Sequence, residues 1–239
     1  MKTSREKYAR NARAFTLLEL LIVVSVIAIL VMMLISTIGM VRSLAKRTKC
    51  ASNLRQIGVA FREYAGDNEG KAILVYTSGV KQGTYVVNNT NNTDGPWSVL
   101  WKQGFIAAPQ LMYCPSTVPA STRFNTSTNV WPHQAGAFTR AGYCNRPEVD
   151  AGTNAPPQVS LLPHWVLYSQ KAIASDLCSD KAMVYYYGHR NGVNTAYGDG
   201  GVKWVPLSAM QAVWTLPSAW SNVNNALVVL LWQQYDSNR

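Results

Sequence analysis

The chain has no C-x-x-C pair, only three histidines and no proline before Pro96. Its four cysteines, Cys50, Cys114, Cys144 and Cys178, stand far apart, which argues against a zinc ribbon or a thioredoxin-type redox site. His133, His164 and His189 lie on different segments without helical ligand spacing, and no P-loop, G-x-S-x-G or H-E-x-x-H string occurs. Ser43-Leu44-Ala45-Lys46 fits S-x-x-K but lacks the S-D-N and K-T-G partners that chemistry requires, so it reads as a chance match. Catalysis is therefore not expected. Charge is scarce as well: 14% of residues are Asp, Glu, Lys or Arg against 48% hydrophobic, a balance that excludes disorder and suits one globular domain plus one membrane-length segment.

A formal net charge of +10 suggests nucleic acid until it is placed along the chain. Residues 1–65 carry eleven Lys/Arg against three Glu, whereas the remaining 174 residues carry eleven basic and nine acidic groups. A nucleic-acid-binding domain concentrates basic groups on its folded face. Here they flank a hydrophobic segment instead, so membrane topology accounts for them and no nucleic acid is expected.

That segment, FTLLELLIVVSVIAILVMMLISTIGMV over 15–41, holds Glu19 as its one charge. As a helix it spans about 40 Å, more than the ~30 Å of bilayer hydrocarbon. Its apolar residues run right round, so it requires lipid or other helices on every side. The preceding MKTSREKYARNARA has five basic residues and one acid, which predicts a cytoplasmic leader over 1–14 and an outward-facing remainder. A cleaved secretory signal would have a shorter apolar region followed by a small-residue site. In this chain the small residue, Ala14, comes before the run.

Arg13-Ala14-Phe15-Thr16-Leu17-Leu18-Glu19 resembles the processing site of type IV prepilins and type II secretion pseudopilins. The resemblance implies a prepilin peptidase/methyltransferase that cuts between Ala14 and Phe15 and N-methylates Phe15. Ala14 stands where the family usually has Gly, and Ser36 stands at a position that often carries Pro, so the helix is expected to stay continuous with Gly39 and Gly58 as its weakest points. Glu19 is costly in an apolar interior unless neutralised or paired. The resemblance implies that it pairs with the Phe15 ammonium of a neighbouring subunit; the alternative is a protonated or snorkelling carboxyl near the membrane surface.

Beyond Val41, the residues Cys50, Leu54, Ile57, Phe61 and Tyr64 keep a four-three spacing that predicts an amphipathic helical continuation over 42–65, for a helix of roughly 75 Å in all. Gly66-Asp67-Asn68-Glu69-Gly70 predicts its end. A globular head over 66–239 follows, with strands expected at 72–76, 84–87, 111–114, 138–144, 171–175, 183–187, 193–197 and 202–205. Helices are expected at 96–103 and 225–235, and the proline-bearing stretch 145–163 reads as a surface loop. The fold class is α+β: a long N-terminal helix packed on an antiparallel β-sheet head. In an oxidising compartment Cys50, Cys114, Cys144 and Cys178 admit three disulfide pairings, with buried thiols as the other reading.

Several strings in the head resemble the H-X9-DG class of prepilin-like proteins: Cys50-x-x-Asn53-Leu54-Arg55-Gln56-Ile57-Gly58, Tyr113-Cys114-Pro115-Ser116, Tyr143-x-Asn145, and His189 separated by nine residues from Asp199-Gly200, with Gly192 and Asn194 between them. Gly198 to Gly201 predicts a hairpin turn braced by Asp199, with His189 at a strand end nearby. Major pseudopilins bind calcium in a C-terminal loop, so calcium near Asp199 is the metal reading to set beside the structural turn; no other cofactor is expected. Together these implications describe a filament subunit of a pilus-like or pseudopilus assembly. Its partners would be like subunits and an inner-membrane assembly platform. The chain would be single-pass in a bacterial inner membrane with a cytoplasmic N-terminus, then periplasmic or on the cell surface once processed. A minor tip or initiator subunit, and a membrane-anchored enzyme, are the competing readings.

Overall fold

The computed structural model describes residues 16–76, 84–88, 94–134, 136–150, 160, 162–177, 188–214 and 225–239. The expected strand at 183–187 and Cys178 lie outside these residues, as do Ala14 and Phe15. The chain divides into two compact units, Met1–Arg42 and Ser43–Arg239.

Helix α1 runs Leu17–Asp67, with Gly39 and Gly58 inside it. In the first unit its large apolar side chains from Leu17 to Val41 are exposed on every face. Two hydroxyls there bond their own helix: Ser25 Oγ donates to the Ile22 carbonyl at 2.8 Å and Thr37 Oγ1 to the Leu34 carbonyl at 2.9 Å. Such back-bonding satisfies the hydroxyl protons within the helix, as hydrocarbon surroundings demand.

In the second unit the four-three stripe is buried as the spacing predicts: Cys50, Leu54, Ile57, Phe61 and Tyr64 are all in the core. The helix stops where the Gly70 N–H returns to the Ala65 carbonyl at 2.7 Å, with Gly70 at φ +74, a left-handed cap that glycine adopts without steric cost. The strands among the described residues are β1 (Val75–Tyr76), β2 (Val86–Asn88), β3 (Thr139–Arg140), β4 (Tyr143–Asn145), β5 (Val149–Asp150), β6 (Ala172–Asp176), β7 (Gly192–Tyr197) and β8 (Val202–Pro206). The other helices among the described residues are α2 (Pro96–Lys102), α3 (Leu207–Trp214) and α4 (Asn225–Ser237), with 3-10 turns at Pro109–Met112, Ala120–Thr122 and Trp165–Tyr168.

The central sheet is antiparallel in the order β4-β6-β7-β8, with Ser175 opposite Thr195 and Val193 opposite Val205. Period-two alternation on β7 divides its side chains between two layers. Ala196 joins the α1 core with Ile173 and Ala174, while Val193 and Tyr197 join Cys144, Met210, Leu231, Trp232 and Tyr235 beneath α3 and α4. The chain therefore has an α+β, pilin-like architecture with helices on both faces of the sheet.

Four expectations need correction. Residues 111–114 are not a strand: Pro109 opens a 3-10 turn, and Pro115, lacking an N–H, follows directly. The 138–144 run breaks into β3 and β4 around Gly142, where an added Cβ would lie 2.6 Å from the Cys114 nitrogen. The stretch 145–163 is not wholly surface loop, because β5 pairs in parallel with β1 and Leu162 is buried. Helix α3 was not foreseen.

Helix α4 is tied down by charge. Arg146, 8% exposed, meets both Asp236 oxygens through Nη1 at 2.9 and 3.0 Å and Glu148 Oε1 through Nε at 2.6 Å. Asp236 Oδ1 also accepts the Ala172 N–H at 2.8 Å. A guanidinium buried this deeply is tolerated because its fork is matched by carboxylates and a carbonyl.

Candidate functional site

The first turn of α1 is a capping box. Thr16 accepts the Glu19 N–H through Oγ1 at 3.2 Å, and Glu19 Oε2 accepts both the Thr16 N–H and its hydroxyl at 2.9 Å. The T-x-x-E spacing that starts the apolar run thus has a local job as well as the intersubunit one the resemblance implies.

The strings of the head converge on one buried polar cluster. Cys50 on α1 and Cys114 form a disulfide, with Cα atoms 5.3 Å apart. Asn53, one turn along from Cys50, donates to the Tyr113 carbonyl at 3.3 Å and the Tyr143 hydroxyl at 3.2 Å, fixing α1 against the C-P-S and Y-x-N segments. Against the disulfide lies His189: Nε2 is 3.5 Å from Cys114 Sγ, and Nδ1 is 3.0 Å from Ser116 Oγ. Trp204 meets the imidazole edge to face at 5.7 Å, and the Arg47 guanidinium stacks on Trp204 at 3.8 Å.

Asp176, at the end of β6, completes the cluster and was missed in the sequence, where the expected strand stopped one residue short of it. Its Oδ2 accepts the Asn194 N–H at 2.6 Å and the Asn194 side-chain amide at 2.9 Å, and lies 3.4 Å from His189 Nε2. Its Oδ1 is buried without a hydrogen-bond partner among the described residues. The signal that could have found it was a carboxylate in the apolar run Ala172-Ile173-Ala174-Ser175-Asp176. Ser116, His189 and Asp176 stand in series, but the imidazole is enclosed by the disulfide, Trp204 and Asn194, the packing of a polar core.

The H-X9-DG spacing turns out to measure a strand. His189 precedes β7 and Asp199 follows it, so roughly 17 Å of extended backbone separates them, correcting the expectation that they lie together. Asp199 Oδ1 accepts the Gly201 N–H at 3.0 Å and Oδ2 meets the Arg239 guanidinium. Gly200, at φ +90, closes the β7–β8 turn, whose Gly198 carbonyl accepts from Arg62 of α1 at 2.7 Å. This is a turn brace at one end of β7, with the polar cluster at the other. Cys144 is buried in the opposite face of the sheet.

Burial pushes the Asp176 carboxyl up to about 7, against the Asn194 hydrogen bonds and Arg47, which pull it down. Burial, with the Arg47 and Lys46 cations, pushes His189 down to about 4. A raised Asp176 stabilises the fold fully below its ordinary 3.8 and loses that contribution as pH rises to about 7. A lowered His189 leaves the fold unaffected above 6.5 and destabilises it as pH falls to about 4. In the intact protein these slopes oppose each other. Unfolding free energies from urea titration should therefore rise on acidification from pH 7 to 4 in His189→Gln and fall in Asp176→Asn, each by on the order of 1–3 kcal/mol. Slopes of the same sign in both variants would contradict the assignment.

With this geometry in view, the comparison with protein families is specific to one end of the chain. A family model, the prokaryotic N-terminal methylation motif, matches residues 9–35. The N-terminus is of the prepilin type. The motif spans the capping box and much of the exposed apolar helix, and it marks a prepilin-type substrate of prepilin peptidase. No curated protein and no solved structure matches the chain.

Proposed function

We propose that the chain is a structural subunit of a type IV pilus-like or type II secretion pseudopilus filament, working by polymerisation rather than catalysis. The observation that carries this reading is the apolar length of α1, exposed all round and largely within a prepilin-type motif. Such a surface is covered by lipid before processing, and sister helices can cover it afterwards. Removal of the 1–14 leader takes away five basic groups that hold the helix in the bilayer, each costing about 2.5–3.5 kcal/mol at a helix centre. The Arg62 bond to the β7–β8 turn and the Cys50–Cys114 bond lock the part of α1 within the second unit into the head.

Sheared and purified filaments should contain this chain, and quantitative mass spectrometry of them measures its share. Copy numbers equal to the most abundant subunit place it along the filament. A few copies per filament place it at the tip as an initiating subunit, and none at all overturns the filament reading.

A further inference from the structure

The disulfide and the two titratable groups beside it form a set of four metal-capable donors. Both sulfurs, one nitrogen of His189 and one oxygen of Asp176 all lie within 4.8 Å of one another, and all four residues are buried. Tetrahedral zinc, with bonds of about 2.3 Å to sulfur and 2.0–2.1 Å to nitrogen or oxygen, sets its ligands roughly 3.3 Å apart along a nitrogen–oxygen edge and roughly 3.5 Å along a sulfur–nitrogen edge. His189 Nε2 is 3.4 Å from Asp176 Oδ2 and 3.5 Å from Cys114 Sγ. The edge that does not fit is sulfur to sulfur. A covalent bond closes it, and it has to open to roughly 3.7 Å.

Three further features point to a cation. Among the described residues Asp176 Oδ1 has no hydrogen-bond donor at 1% residue exposure, a costly arrangement unless something supplies it with positive charge. The outer shell is in place: Ser116 Oγ lies 3.0 Å from His189 Nδ1, the nitrogen turned away from the sulfurs, while Asn194 holds the carboxylate through two hydrogen bonds. The charges also balance, since two thiolates and one carboxylate are offset by a divalent ion together with the adjacent Arg47.

We propose that the Cys50–Cys114 pair, once reduced, joins His189 and Asp176 in binding one divalent ion of the zinc class, so that disulfide and metal are alternative closures of the same site. A dithiol reductant gives up two electrons and two protons, becoming a disulfide itself and leaving two thiols on the protein. Metal binding then releases both thiol protons to solvent and forms two metal–sulfur bonds, one metal–nitrogen bond and one metal–oxygen bond. Reoxidation by a disulfide oxidant re-forms the sulfur–sulfur bond and expels the ion.

The test uses the full chain in detergent, with cobalt(II) as the probe and zinc as the competitor. After reduction and removal of the reductant, the protein should bind one equivalent of cobalt with a thiolate charge-transfer band and tetrahedral d–d bands, both displaced by zinc. The oxidised protein should show neither band. His189→Gln and Asp176→Asn should each weaken binding at least tenfold. Because those variants also disturb a packed core, wild-type protein supplies a second readout: zinc should raise the melting temperature of the reduced form and leave that of the oxidised form unchanged. Absence of the thiolate band after reduction, unweakened binding in both variants, or a zinc effect on melting that is absent or equal in the two redox forms would overturn the proposal.

Discussion

Replacing Cys50 and Cys114 together by alanine should lower the stability of the head by about 4 kcal/mol. The bond closes a loop of sequence separation 64, and the loss of denatured-chain entropy for a loop of that size is worth about this much. It is also the covalent tie between α1 and the C-P-S segment, and both sulfurs are buried, so their removal leaves unfilled space in the core as well. Gly142 shows how tightly the surroundings are built, since even a methyl group there would press on the Cys114 nitrogen. Urea unfolding of the double variant in metal-free buffer measures the difference. A loss below about 1 kcal/mol would mean that the denatured chain is not restrained by this bond.

The second large effect concerns assembly. Two roles meet at Glu19 that an alanine substitution alone does not separate, the cap seen with Thr16 and the proposed pairing with a neighbour's Phe15 ammonium. Glu19→Ala removes both. Glu19→Gln keeps a side chain that can serve in a capping box but removes the charge. If pairing governs assembly, both variants should be processed normally, yet filament yield should fall by roughly 100-fold or more, as expected when a buried ion pair worth about 3–5 kcal/mol is broken from one side. If Glu19→Gln assembles like wild type while Glu19→Ala does not, capping is the whole function of the residue and the pairing is wrong. Cross-linked filament yield, normalised to processed subunit, is the quantity to compare.

The parts of the molecule legible in its sequence are those governed by periodicity. The all-round apolar run and the four-three stripe fixed both halves of α1, because helical spacing decides burial over long segments. The β7–β8 hairpin was readable from Gly198-Asp199-Gly200-Gly201, since left-handed turn positions select glycine. Legibility failed where tertiary contacts outweigh local pattern. Strands of two or three residues, such as β1 and β5, carry no periodic signal and exist because a partner lies alongside. Residues 111–114 looked β-like, but the prolines at 109 and 115 decided otherwise.

At the polar cluster the legible part was the set of strings, and the illegible part was their meeting point. Cys50, Cys114, Ser116, His189 and Asn194 were each marked in the chain, yet only the fold brings them around Asp176, a residue that no string contained. The spacing of His189 to Asp199 suggested one site, whereas it spans a strand with a different device at each end.

The central claim is that the chain is a prepilin-type substrate whose apolar helix is released for assembly by processing. Mass spectrometry of the mature N-terminus, from cells that carry the matching peptidase, tests this most directly. The account predicts a chain beginning at N-methylated Phe15. A protein that keeps residues 1–14 in a strain that processes its other prepilins would contradict it.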